Sequence, residues 1–157
     1  MSAWKRLILW VLTAQAGFVG VWATALPRSF YDHFPGWGHV WVAGAGPYSE
    51  HLVRDVGALS LALGVLTAGA AARPRWVHPA ACAAAWLIYS APHLIYHIRS
   101  DTHLAQPDRW LSHVALGLQV ALPLVLLVPQ GRSAYPGPLA VGVTGSRPDV
   151  NKEGELR

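Results

Sequence analysis

The chain has 157 residues, 53% hydrophobic and only 13% charged, about half the charged share of an ordinary soluble domain. That balance excludes an intrinsically disordered chain and an ordinary soluble enzyme. Twelve Lys and Arg against eight Asp and Glu give a net charge of +4. No basic stripe forms that would neutralise a phosphate backbone, so nucleic acid is excluded as a partner.

The first apolar stretch covers residues 7–26, broken only by Thr13, Gln15 and Thr24 and preceded by Lys5 and Arg6. About 20 apolar residues of helix cross a hydrocarbon core. A competing reading takes Lys5, Arg6 and the Ala23-Thr24-Ala25 triplet as a cleavable signal peptide, for which the apolar run is long. Residues 27–49 follow as an outer loop. They carry Phe30, Tyr31, Phe34, Trp37, Trp41 and Tyr48, too many aromatics to hang free in water. The loop is expected to form a short interfacial helix or a lid over a pocket mouth, or else a membrane-surface anchor.

A second stretch runs over 51–72, with Ser49 and Glu50 placed to cap it. The Arg73–Arg75 turn is short and Pro74 stops the helix, which makes the next span its antiparallel neighbour. That third span, 77–98, carries no formal charge but three histidines, and Cys82 among its alanines reads as a small packing residue. As the only cysteine, Cys82 rules out an intramolecular disulfide and a Cys-based zinc site. Small residues in spans two and three suit close helix contact. The fourth span, 111–128, opens after Asp108, a candidate cap, and stops at Pro129. From 129 to 157 Gly and Pro dominate, and the segment is expected to be a disordered cytoplasmic tail.

Without water in the bilayer each span must be helical, and these are apolar nearly all round. The predicted fold is therefore all-α: a polytopic membrane protein with four transmembrane helices in an antiparallel bundle over residues 1–128. Its partners are the lipid bilayer and either another membrane protein or a second copy of the chain. With the amino terminus in the cytoplasm, Lys5, Arg6, Arg73, Arg75, Arg132, Arg147, Lys152 and Arg157 lie inside against Arg28, Arg54, Arg99 and Arg109 outside. This favours a multi-pass protein of the cell membrane with both termini cytoplasmic.

Seven of the eight histidines then fall on the outer side, His78 being the exception. His93 and His113 each sit about 7 Å below an outer helix end, with Asp55 level with them. The i,i+4 pairs His93/His97 and His51/Asp55 share helix faces, and Glu50/Arg54 makes a third pair. Ionisable groups in a membrane helix normally face the bundle interior or a wet cavity. The expected site is an outward-facing pocket lined by His51, Asp55, His93, His97 and His113, a donor set that suits Zn, Cu, Ni or non-haem Fe. Alternatively, His93 and His113 would ligate a haem b, with Tyr89 and Tyr96 hydrogen-bonding the bound species and Arg54 drawing a propionate or anionic substrate. His33, His39 and His103 read as loop residues.

The Ser-Phe-Tyr-Asp run before Phe34-Pro35-Gly36, the segment from Glu50 to Gly57, and Pro92-His93-Leu-Ile-Tyr96-His97 resemble a group of small uncharacterised membrane proteins of actinobacteria. The likeness covers about the middle half of the chain, 29–97, and implies no activity. The four-span plan is also similar to DoxX-like membrane proteins, some linked to redox complexes. That second likeness is architectural and carries no residue across. The leading expectation is a metal- or haem-binding membrane protein in a redox role. The alternatives are a non-catalytic ligand-binding module and a structural subunit of a larger membrane complex.

Overall fold

A computed structural model describes residues 1–129, so the expected tail at 129–157 lies, beyond its first residue, outside the described residues. The fold is mostly helical. In chain order it comprises α1 (Ala3–Ala25), α2 (Pro27–His33), the two-residue strands β1 (Pro35–Gly36) and β2 (His39–Val40), α3 (Glu50–Ala72), α4 (Pro79–Ser100), a 3₁₀ turn at Asp101–His103, and α5 (Asp108–Leu126). Three of these, α1, α3 and α5, are long and apolar enough to cross a membrane. The expected first span starts four residues late, because Trp4, Lys5 and Arg6 already belong to α1.

Local chemistry explains the boundaries. Ser49 caps α3 by accepting the Leu52 N–H, as expected from its position. His78 does the same for α4, its Nδ1 accepting the Ala80 N–H at 3.2 Å, and Pro79 takes the first helical position. Asp108 is no cap: it stands as the first residue of α5 after Pro107, and its carboxylate accepts from His39 Nδ1 at 2.7 Å instead. Between β1 and β2 the turn residues Trp37 and Gly38 both have positive φ, 54° and 85°, the backbone sense that matches the twist of a tight hairpin.

Packing divides the long helices into two pairs. α1 lies most extensively against α3, and α4 against α5. The first pair is close because glycines face it. A Cβ on Gly57 would stand 2.8 Å from the Thr24 backbone nitrogen, and one on Gly20 would stand 2.9 Å from that of Leu61. Close contact thus joins the first and second spans rather than the second and third. Between the pairs, Leu9, Leu12, Leu63, Trp86 and Leu126 form a buried apolar cluster, within which the Trp86 indole N–H donates to Thr67 Oγ1 at 2.9 Å. At one end of the molecule the Lys5 ammonium donates to the carbonyls of Leu126 and Val128, at 2.9 and 2.7 Å, tying the start of α1 to the end of α5. At the other end Arg54 donates to the Thr24 carbonyl, and Arg109 to those of Thr102 and Leu104.

Candidate functional site

A cavity of about 460 Å³ opens between the two helix pairs. Its cover is the loop that joins α1 to α3. Phe30 of α2 packs into the space left by Ala23 and Val53. Phe34 and Trp41 follow, with ring centroids 6.1 Å apart. The Tyr31 hydroxyl donates to the carbonyls of Ala43 and Gly46. On the solvent side the Arg28 guanidinium stacks over Tyr48 and Tyr31, its proton held more tightly than usual by the hydrogen bond and charge of Asp32. Two bonds fasten the cover to the second helix pair: His39 to Asp108, and His103 Nε2 to the Trp41 carbonyl at 3.3 Å. The aromatic loop is therefore folded over the cavity, and His39 and His103 hold it to the second helix pair.

Beneath the lid the wall is mostly apolar, with polar groups at a few points. His93 and His97 of α4 line it, their ring centroids 4.6 Å apart in an edge-to-face contact. His93 also stacks on Tyr89, and Tyr96 stands edge-on to His97. Both tyrosines lie in the wall. His93 has ring contacts on both sides and no hydrogen bond among the described residues. His97 Nδ1 lies 2.7 Å from Asp101 Oδ1. Nδ1 is thus engaged by the carboxylate, and Nε2 has no hydrogen bond among the described residues.

Asp101 is the anchor of this end. Only 3% exposed, it also accepts from Ser112 Oγ at 3.3 Å. His113 approaches it as well, Nε2 to Oδ2 at 3.5 Å, but without hydrogen-bond alignment, which leaves that nitrogen buried and unpaired among the described residues. Spacing signalled this residue, since Asp101 stands four after His97, but a reading confined to the apolar stretches stops short of it. Gln15, Ser60 and Gln119 of the wall were legible only as single polar breaks in long apolar runs.

The remaining expected site residues lie elsewhere. His51 and Asp55 do pair, at 3.3 Å, but on an open face, with side chains 84% and 59% exposed, and neither lines the cavity. Position in the α3 register explains this. The face of α3 that packs inward carries Val53, Gly57 and Ser60, and residues 51 and 55 point away from it. Arg54 is engaged by Glu50 at 2.8 Å and by the Thr24 carbonyl, so it offers no free cation to an anion. His113 is absent from the wall, so it does not face His93 across a haem-sized space. No three His, Cys, Asp or Glu side chains converge as a metal-holding group among the described residues. The five-residue metal set read from spacing thus does not assemble.

Compared with known families and proteins, the chain matches no family model, no curated protein and no solved structure.

Proposed function

We propose that the protein is a four-span membrane protein, both termini cytoplasmic, that binds a small amphiphilic molecule in the cavity beneath its lid. The span added to α1, α3 and α5 is α4, the third in chain order. Its 22 residues reach about 33 Å, enough for a hydrocarbon core. Its polar residues Ser90, His93 and His97 lie toward the bundle, and Ile88, Ile95 and Ile98 are exposed outward, an arrangement that lipid would cover at no cost. The first span is retained as a helix in this reading. Ala23, inside the triplet that resembles a cleavage site, is fully buried, and α1 supplies one side of the closest helix pair.

The observation that carries the ligand reading is the cavity itself. Its volume lies within the range of small-molecule sites, and its wall is apolar with a few convergent polar groups. No three His, Cys, Asp or Glu side chains converge among the described residues, which supports small-molecule binding ahead of a metal centre. The test is extraction and mass spectrometry of small molecules that copurify with the protein in lipid nanodiscs, beside Ala115→Trp, which fills the cavity from α5. A species present with the wild type and depleted at least fivefold in a variant with unchanged helicity is the expected result. Equal recovery from both proteins, or none from either, would overturn the reading.

A further inference from the structure

Resting on that binding reading, we infer that the ligand is an uncharged molecule with a hydrogen-bonding group at each end, held between the imidazoles of His93 and His97 and a floor formed by Gln15, Ser60 and Gln119. The lid ends of all four long helices lie together. Arg54 reaches Thr24, Arg109 reaches Thr102, and His39 joins the lid to Asp108. Depth can therefore be counted from that end at about 1.5 Å per residue. Gln15 lies ten residues before Ala25, Ser60 ten after Glu50, and Gln119 eleven after Asp108. All three come out near 15 Å, about halfway through a 30 Å hydrocarbon core. His97 and His93, three and seven residues before Ser100, lie at about 5 and 10 Å.

Polar groups thus reach the cavity at two levels, with Tyr89 between them, stacked on His93 and with its hydroxyl at Ser60. The two carboxamides of the deep level lack partners among the described residues. Gln119 is 92% buried, lines the cavity, and has no hydrogen bond among the described residues, and the carboxamide of Gln15 likewise has none. Ser60 donates to the Val56 carbonyl and lies at the Tyr89 hydroxyl. Two unpaired carboxamides from α1 and α5, facing one space at mid-bilayer depth, are costly unless something hydrogen-bonds them there. The shallow level offers His97 Nε2 and the ring nitrogens of His93, none of them hydrogen-bonded among the described residues.

Charge is the second discriminator. Among the described residues no Lys, Arg, Asp or Glu lines the wall, and Asp101, the carboxylate bonded to His97, also takes a hydrogen bond from Ser112. An ionised ligand would give up its hydration without a counter-charge. An uncharged one needs only donors and acceptors at its two ends, which imidazole and carboxamide both supply.

Binding to the full-length protein in nanodiscs, corrected for uptake by empty discs, separates the classes with three probes of one shape: 2,6-dihydroxynaphthalene, 2-naphthol and naphthalene-2,6-dicarboxylate. The diol is expected to bind about tenfold tighter than the mono-ol, the worth of one hydrogen bond made out of water. The dicarboxylate is expected not to bind. Gln119→Leu should reduce the diol to the mono-ol level while leaving the mono-ol unchanged, and Gln15→Leu should act in the same direction. Equal binding of all three probes, or preference for the dicarboxylate, overturns the two-ended uncharged class. If either pattern is abolished by Ala115→Trp, the cavity still stands as a binding site. Binding by no probe, with a copurifying molecule still lost in Ala115→Trp, also overturns the class and spares the site. The absence of both removes the site itself.

Discussion

A single carboxylate decides how the lid end of the molecule is held. Asp101 is buried, takes hydrogen bonds from His97 and Ser112, and has His113 beside it. Removing a buried partner leaves the others desolvated and unpaired, at a cost of about 3–5 kcal/mol. Asp101→Leu is therefore expected to lose about 3 kcal/mol in a detergent–urea unfolding titration. Asp55→Leu, in an exposed pair, should stay within about 0.5 kcal/mol of the wild type. Equal losses would show that Asp101 does not organise this region. The contrast also shows what was readable at this scale. Spacing alone gives His51/Asp55 and His97/Asp101 the same i,i+4 form. Only the register of each helix against its neighbours separates an open surface pair from a buried one, and that register is a tertiary fact. The His93/His97 face, by contrast, was legible, because a span has few other reasons to hold two imidazoles one turn apart.

Helix pairing follows from small residues rather than from chain order. A short turn makes α3 and α4 sequence neighbours, yet α3 packs chiefly on α1, where Gly20, Gly57 and Gly64 let the backbones approach. The alanine and glycine content of the apolar stretches announced close contact, but composition cannot say which helix supplies the opposite surface. Gly57→Ala would place a methyl against the backbone of Thr24, which cannot move aside as a side-chain tip can. A loss of about 1–3 kcal/mol is expected, with reduced yield of folded protein. Gly17→Ala and Gly117→Ala meet nothing within 4 Å and should be neutral or slightly stabilising, since alanine is the better helix former. Comparing the three midpoints in one detergent checks this, and similar losses at all three positions would contradict the packing. The caps divide in the same way. Ser49 ahead of an apolar run was readable as a local signal, whereas Asp108 was drawn from capping by His39, 69 residues away.

At the scale of the whole molecule, crossing the membrane four times requires α4 to be a span although its composition is the least apolar of the four. Apart from the exposed Arg99 near its end, the basic residues of α4 line the cavity, so the quantity that matters is the apolar character of its outward face, where Ile88, Ile95 and Ile98 are exposed. Sequence windows average over both faces and cannot see this. The lid end and the Arg73–Arg75 turn should then lie on opposite sides of the membrane, with the turn, beside Lys5 and Arg6, in the cytoplasm. Single cysteines test this in a Cys82→Ala background: Trp37→Cys in the lid, Thr102→Cys after α4, and Arg75→Cys before it, all at exposed positions. A membrane-impermeant maleimide applied to whole cells is expected to label positions 37 and 102, and to reach position 75 only after permeabilisation. Labelling of 75 and 102 from the same side would mean that α4 does not cross, and the four-span count would fall with it. The reverse pattern, with 75 labelled from outside and 37 and 102 protected, would keep four spans but turn the lid toward the cytoplasm, so that the cavity would draw its ligand from the cell interior.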